Sequence, residues 1–175
     1  MADIKHRLVK DFLTVNELIL FQKYCYNKLD SNKDYVIDNQ SFSPGWYNDP
    51  LMTALLDLKL SKVEEKLNLK LYPTYAYWRY YIFGATLKNH VDREACEISV
   101  TVCIGKYDNW PLIVGEEEIE LEEGDAIIYP GYSEPHGRPG TYKGEGMAQV
   151  FLHYVDQDGP FKDFKYDNKK GKINV

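Results

Sequence analysis

The spacing of hydrophobic residues changes near residue 70. Before that point they recur at helical intervals, as at Leu18, Phe21 and Cys25. After it, short runs rich in β-branched and aromatic residues alternate with glycine, proline or acidic turns. Helices followed by antiparallel-type strands predict an α+β protein, with N-terminal helices packed on one face of a barrel or sandwich.

Two helix starts are marked by local signals. Thr14 and Glu17 have the spacing of a capping box, which predicts a first helix ending near residue 29. Asp49 precedes Pro50, and a proline at the first helical position loses no needed hydrogen bond, so a second helix or a broken pair is predicted to about residue 68. The segment between them, DSNKDYVIDNQSFSPGWYNDP, is polar with Pro-Gly turn chemistry and is predicted as a connection.

The second half of the chain is predicted to contain six short strands. They lie in the segments YPTYAYWRYYIFG, CEISVTVCIG, WPLIV, EEIELEEG, DAIIYPG and MAQVFLHYV. In EISVTVCI the isoleucines and valines share one face, while Ser99, Thr101 and Cys103 share the other. We expect the apolar face to pack against the helices and the small polar face to line the barrel interior.

Length and composition indicate one globular domain. The chain has 175 residues, 44% hydrophobic and 27% charged. We divide it into an N-terminal helical support (1–70), a metal-binding β-barrel core (71–156) and a polar C-terminal tail (157–175). The net charge of −6 argues against nucleic acid as a partner. No apolar run reaches membrane-spanning length and no signal peptide is apparent, so with three cysteines the expected location is the cytoplasm, with reduced thiols.

The chemistry of the chain centres on His90 and Asp92. Side chains two apart on a strand project from the same face, so these two could point into one cavity. With a distant second histidine they would make a two-histidine, one-carboxylate triad, which holds ferrous iron and leaves positions open for other ligands. Two histidines are candidates: His136, in a Pro/Gly-rich loop, and His153, in the last predicted strand.

Residues 72–155 resemble the iron(II)/2-oxoglutarate-dependent dioxygenases, nearest to the prolyl 4-hydroxylase-like branch. Tyr81, Gly84, His90 and Asp92 stand in the family's order and at about its spacing, followed by EISVTVCIG, EEGDAIIY, EPHG and AQVFLHYVD. The resemblance implies a double-stranded β-helix, a jelly-roll or cupin-like barrel. It also favours His136 as the distal ligand, so the implied metal ligands are His90, Asp92 and His136.

The resemblance further implies an enzyme that uses Fe(II), 2-oxoglutarate, dioxygen and, as a supporting reductant, ascorbate. Such an enzyme hydroxylates an unactivated C–H bond and releases succinate and carbon dioxide. A prolyl or other peptidyl side chain is the substrate that the family suggests, although the sequence names neither a protein nor a small-molecule substrate. Tyr81 is expected to hydrogen-bond the cosubstrate, and no catalytic residue beyond the metal ligands is implied.

One departure from the family concerns the cation that pairs with the far carboxylate of 2-oxoglutarate. The family places it some ten residues past the distal histidine, where this chain reads Gly-Glu-Gly-Met at 144–147. Arg138 is the expected substitute, with Arg79 and Lys143 as alternatives. The departure leaves open a cupin-like metalloprotein without 2-oxoglutarate chemistry. If His-Val-Asp is accidental, a non-catalytic β-sandwich binding module is a further alternative.

Overall fold

The computed structural model describes residues 4–31 and 34–168. Short 3₁₀ segments cover Glu94–Cys96 and Lys162–Asn168, the second of them irregular. The α-helices and β-strands, in chain order, are β1 (Arg7–Val9), α1 (Val15–Ser31), β2 (Val36–Ile37), β3 (Pro44–Tyr47), α2 (Pro50–Leu67), β4 (Leu71–Tyr81), β5 (Leu87–His90), β6 (Ile98–Lys106), β7 (Leu112–Val114), β8 (Glu117–Ile119), β9 (Ala126–Tyr129), β10 (His136–Arg138) and β11 (Met147–Asp156).

Both helices begin as the sequence predicts. Glu17 accepts a hydrogen bond from the Thr14 amide at 2.7 Å, and the Glu17 amide donates to the Thr14 hydroxyl at 3.3 Å. The Asp49 carboxylate caps α2 by accepting from the Leu51 amide at 3.0 Å. These bonds satisfy backbone donors that a helix start otherwise leaves free.

The strands form two antiparallel sheets. The larger sheet has seven strands in the order β1-β9-β6-β11-β4-β3-β2, and the smaller has four in the order β5-β10-β7-β8. Residues of β6 and β9 in the large sheet and of β7 in the small sheet share one apolar cluster, which includes Cys103, Ile127 and Val114. The two sheets therefore pack face to face, and the chain has the predicted α+β architecture of a double-stranded β-helix.

The two helices cover the outer face of the large sheet. Phe21 and Leu55 belong to the same buried cluster as Val100, Val102 and strand residues of β4 and β11. The opposite face of β6 points inward: the Thr101 hydroxyl lies 3.1 Å from that of Tyr129. The predicted division of β6 into a helix-facing and an interior face is confirmed.

Several short strands were predicted as loops or missed. β2 and β3 lie in the segment predicted as a connection, and β10 in the predicted Pro/Gly-rich loop. Each is a strand because it pairs with a neighbour: Gly45 with Arg79, for example, and Gly137 with Ile113. Pairing between distant segments leaves no local signal, and the proline at the first residue of β3 makes this strand look like a turn.

The predicted C-terminal tail is described as far as residue 168; residues 169–175 lie outside the described part. Within it, Phe161 packs edge-to-face on Tyr132, and the Lys165 ammonium lies over the Tyr72 ring at 4.3 Å from its centroid. Residues 160–168, the C-terminal segment hereafter, thus contact the barrel. No helix in the described ranges is long and apolar enough to cross a membrane.

Candidate metal centre

Two histidines lie side by side on adjacent strands of the small sheet. His90, the last residue of β5, is the register partner of His136, the first residue of β10. Their ring centroids are 4.4 Å apart. His136 is only 3% exposed, because β10 carries it inside the barrel rather than on a surface loop. Backbone pairing alone therefore brings together two of the predicted ligands.

Hydrogen bonds fix the tautomers of both rings. Nδ1 of His90 lies 2.8 Å from the Lys88 carbonyl oxygen, and Nδ1 of His136 lies 3.0 Å from that of Glu134. A carbonyl oxygen only accepts, so each Nδ1 carries the proton. Each neutral ring is then left with a lone pair on Nε2, as a metal-ligating histidine requires.

Asp92 completes the group, but not from a strand as predicted. β5 ends at His90, and Asp92 lies in the irregular segment between β5 and the 3₁₀ segment. Its backbone amide donates to the Gly131 carbonyl at 2.9 Å, and its carboxylate accepts from the Ser99 hydroxyl at 3.1 Å. A Cβ at Gly131 would lie 2.8 Å from the Asp92 carboxylate, so only glycine leaves it room. These two hydrogen bonds, rather than strand alternation, orient the Asp92 carboxylate.

The three side chains converge on one point. The two Asp92 oxygens lie 3.6 Å from Nε2 of His90 and of His136 respectively. Candidate ligand atoms of the three residues all lie within 4.8 Å of one another. With the ring protons on Nδ1, both Nε2 atoms and the carboxylate present only lone pairs to the space between them. Such an arrangement suits a cation. Its nitrogen and oxygen donors match non-haem ferrous iron with open positions.

Electrostatics agree with a cation site. Burial alone would raise the pKa of Asp92, but the neighbouring His136, His90 and His153 outweigh burial and hold the pKa far below its usual value. For His90, burial lowers the pKa, yet the Asp92 carboxylate more than compensates and the net shift is upward. The carboxylate is therefore ionised at neutral pH and available as a ligand.

The group opens into a cavity of about 370 Å³ between the two sheets. Along β4 the alternate residues Tyr75, Tyr77, Arg79 and Tyr81 line one wall, as strand periodicity requires. The remaining lining residues come from both sheets and from the turns at the mouth: Asp38, Gln40, Tyr47, Leu87, His90, Asp92, Arg93, Leu112, Tyr129, His136, Phe151 and His153. The cavity has the size of a small-molecule pocket, which is about 300–1,000 Å³.

Two predicted cosubstrate residues, Tyr81 and the alternative cation Arg79, lie in this wall. An Arg79 guanidinium nitrogen donates to the Tyr81 hydroxyl at 3.2 Å, and another lies 2.6 Å from an Asp38 carboxylate oxygen. Burial lowers the pKa of Arg79, but Tyr81, Tyr77 and Asp38 outweigh it. Arg79 thus already has a carboxylate partner.

Arg138 lies behind the cavity wall. Its guanidinium donates to the Trp110 carbonyl and to the Gln149 side-chain oxygen, and it lies over the Tyr81 ring at 5.6 Å from the centroid. Within residues 4–31 and 34–168, no carboxylate pairs with it. Burial lowers its pKa, and its Nε has no hydrogen-bond partner among the described residues. A buried cation without an anion is costly, so Arg138 suits an anion bound beside Tyr81.

His153, the alternative distal ligand, lies beside the three converging side chains. Ser99 donates its single proton to Asp92, so His153 must donate from Nδ1 to the Ser99 oxygen, 3.0 Å away. His153 and Cys96 also stand near Asp92 as a second cluster of potential ligands. Burial raises the pKa of the Cys96 thiol to about 12, so the thiol is protonated at neutral pH and ligates poorly.

Among the cavity residues that the sequence analysis missed are Arg93, Tyr47 and Asp38. Arg93, beside the predicted ligand Asp92, lies over the Tyr75 ring at 4.5 Å from the centroid. Tyr47 and Asp38 come from the segment predicted as a plain connection. Only Arg93 had a local signal, its position next to His-x-Asp; the other two reach the cavity through strand pairing at the edge of the large sheet.

No protein-family model matches the sequence, and no curated protein matches it either. Solved structures do match. A Pseudomonas putida prolyl-4-hydroxylase is 13% identical with a TM-score of 0.64, covering 85% of this chain and 91% of that chain. A viral collagen prolyl hydroxylase from Paramecium Bursaria Chlorella virus-1, in complex with 2-oxoglutarate, is 14% identical with a TM-score of 0.65, covering 87% and 96%.

A third match, the non-heme alpha ketoglutarate dependent epimerase SnoN from nogalamycin biosynthesis, is 11% identical with a TM-score of 0.74, covering 97% of this chain and 86% of that chain. Identities this low establish the architecture and leave the reaction to be argued from the site. The chain therefore has the fold of the iron(II)/2-oxoglutarate-dependent oxygenases.

Proposed function

We propose that the protein is a non-haem iron(II) and 2-oxoglutarate-dependent oxygenase that hydroxylates an unactivated C–H bond. The observation that carries the proposal is the convergence of His90, Asp92 and His136, with both Nε2 atoms 3.6 Å from the carboxylate oxygens, on the wall of a cavity. An accidental His-x-Asp in a binding module would have no reason to meet a second buried histidine with a free lone pair.

The three ligands would hold iron(II) on one side and leave its other positions facing the cavity. When bound, the iron supplies the activation of dioxygen coupled to decarboxylation of 2-oxoglutarate to succinate and carbon dioxide. The protein's own part is to orient and to shield. The backbone carbonyls of Lys88 and Glu134 keep both rings in the ligating tautomer, and Ser99 orients the carboxylate.

We assign the cosubstrate to the part of the cavity beside Tyr81. The Tyr81 hydroxyl would hydrogen-bond it, and Arg138, whose guanidinium lies over the Tyr81 ring behind the cavity wall, would pair its far carboxylate once that ring moves aside. Arg79 is the weaker choice, because Asp38 already neutralises it.

The partners of the proposed enzyme are 2-oxoglutarate, dioxygen and an organic substrate, with ascorbate as a supporting reductant. The net charge of −6 argues against nucleic acid as a partner. The three cysteines are all buried and unpaired, which supports a reducing compartment such as the cytoplasm. Two of the matching structures are named as prolyl hydroxylases, which keeps a prolyl or other peptidyl side chain among the substrates to be tested.

The decisive experiment is an anaerobic iron(II) titration with and without 2-oxoglutarate. We expect one iron per chain and, only with 2-oxoglutarate, the weak visible charge-transfer band of its iron chelate. On admission of air and ascorbate, 2-oxoglutarate should be converted slowly to succinate without added substrate. Asp92→Asn is the matched control, since it keeps the size of the side chain and removes its charge. Iron binding without band or succinate would favour the cupin-like metalloprotein.

A further inference from the structure

A carboxylate of the protein itself binds two residues of the cavity lining. Asp167, in the C-terminal segment, accepts a hydrogen bond from the Arg93 guanidinium at 2.6 Å and another from the Tyr47 hydroxyl. Arg93 and Tyr47 both line the cavity that contains the metal ligands, and Arg93 directly follows Asp92. Charge-assisted donors aimed at one carboxylate form an anion site.

The donors of this site are held in place without Asp167. The Arg93 guanidinium lies over the Tyr75 ring at 4.5 Å from its centroid, and the Tyr47 ring packs on Tyr75 with centroids 5.0 Å apart. Tyr75 in turn packs on His153, 4.5 Å away between centroids. Aromatic packing of this kind preorganises a guanidinium and a phenol for a ligand.

Asp167 reaches the site in an unfavourable backbone conformation. Tyr166 and Asp167 have φ of 51° and 54°, so two successive non-glycine residues are left-handed. Such a conformation persists only where other contacts enforce it. The Arg93 and Tyr47 contacts therefore hold a segment whose backbone favours release, as expected of an occupant that another carboxylate can replace.

We propose that Arg93 and Tyr47 form the recognition site for a carboxylate of the primary substrate, and that Asp167 fills this site until the substrate displaces it. The substrate class is a small organic acid with a flat apolar body, because Tyr75, Tyr77 and Phe151 line the cavity next to the site. As a substrate site the assignment rests on the proposed function. It differs from the peptidyl side chain that the family resemblance implies.

Two benzene derivatives test the anion site. Benzoate carries the carboxylate and the flat body, and benzamide is its neutral match. Calorimetric titrations use protein stripped of metal with a chelator, so neither iron nor 2-oxoglutarate binding affects the result. Asp167→Ala should bind benzoate about tenfold more tightly than the wild type, the ratio expected when a tethered carboxylate at roughly millimolar effective concentration competes for a site that binds a free carboxylate at ~0.1 mM. Benzamide should bind both proteins equally weakly.

The double variant Asp167→Ala with Arg93→Gln identifies the site. It should lose the gain in benzoate affinity, and Asp167→Ala with Tyr47→Phe should lose part of it. Equal benzoate affinities in the wild type and Asp167→Ala, or a gain that persists without Arg93, would overturn the proposal.

A second measurement uses the wild-type protein and so does not depend on how the variants fold. Lys162 and Lys165 are trypsin sites within the C-terminal segment. Benzoate at concentrations well above millimolar should speed cleavage there several-fold, while benzamide should not. Cleavage unaffected by benzoate would show that Asp167 is not displaced.

The link to the metal is tested last, in anaerobic Asp167→Ala loaded with iron and 2-oxoglutarate. Benzoate should shift the visible band of the chelate, because a substrate displaces a ligand from the iron environment. A band that is present and unmoved would reject the site as a substrate site. A missing band would instead contradict the proposed oxygenase, while the metal-free titrations stay interpretable.

Discussion

His90 and His136 are register partners in adjacent antiparallel strands, with ring centroids 4.4 Å apart. Their separation is set by the hydrogen-bond ladder of the small sheet and not by the metal. The apo protein therefore holds two ligands ready, and binding needs only small rotations of side chains. A preorganised site gains affinity because it loses little conformational entropy on binding.

Replacing His136 should abolish most iron binding, whereas replacing His153 should not. His136→Ala removes one of three ligands, so we expect iron affinity to fall by more than roughly 100-fold, the upper end of losses from outer-shell changes. His153→Gln keeps a donor for Ser99 and should change affinity by less than about tenfold. Anaerobic titration measures both; the reverse ranking would make His153 the distal ligand.

Gly131→Ala should damage the metal site without unfolding the protein. A Cβ at residue 131 would lie 2.2 Å from the Ser99 hydroxyl and 2.8 Å from the Asp92 carboxylate, so both side chains must move. We expect at least a tenfold loss of iron affinity, a loss typical of outer-shell changes. Gly105→Ala is the matched control, because its Cβ would approach other atoms no closer than 3.4 Å. Equal iron affinity in the two variants would contradict the assigned role of Asp92.

Arg138→Gln should weaken 2-oxoglutarate binding by about 2–4 kcal/mol, because it leaves a desolvated carboxylate unpaired. Iron affinity should barely change. The control is the pair Arg79→Gln with Asp38→Asn, which removes both members of the existing ion pair. Titration of the chelate band gives both affinities. A larger loss of 2-oxoglutarate affinity in the control pair would show that Arg79, and not Arg138, pairs with the far carboxylate.

Acid should destabilise the protein through His153. Burial lowers its pKa from 6.5 to about 4, so between these values the unfolded chain binds a proton that the folded protein does not. The free energy of unfolding therefore falls as pH falls through this window, by about 3–4 kcal/mol at about 1.4 kcal/mol per pKa unit. Denaturant titrations at several pH values between 4 and 6.5 give the free energy of unfolding of the metal-free protein. This free energy should fall with decreasing pH more steeply in the wild type than in His153→Gln.

The predictable parts of the fold were those with local signals. The Thr14–Glu17 capping box, the Asp49 cap and the alternation in β6 were each readable from a few neighbouring residues. The short strands β2, β3 and β10 were not, since their backbone partners lie far away in the chain. Single-sequence patterns record the preference of a segment and not its neighbour.

The site residues can likewise be divided into those with a local sequence signal and those without one. His90 and Asp92 were found as a motif, although Asp92 is placed by an irregular segment and by Gly131 rather than by a strand. His136 was selected by the family resemblance, against its apparent setting in an exposed loop. Arg93 and Tyr47 escaped notice because their importance comes from a partner, Asp167, in a segment predicted as an unremarkable tail.

The Ser99–Asp92 hydrogen bond joins the two layers of the barrel at the metal site. His90 and His136 belong to the small sheet, whereas Asp92 is held by Ser99 of the large one. An ion bound by all three would cross-link the sheets, so metal binding and closure of the barrel are thermodynamically coupled. Loss of iron would loosen the small sheet first, exposing β5 and β10 to hydrogen exchange and proteases. The metal content of such a protein would then set its lifetime as well as its activity.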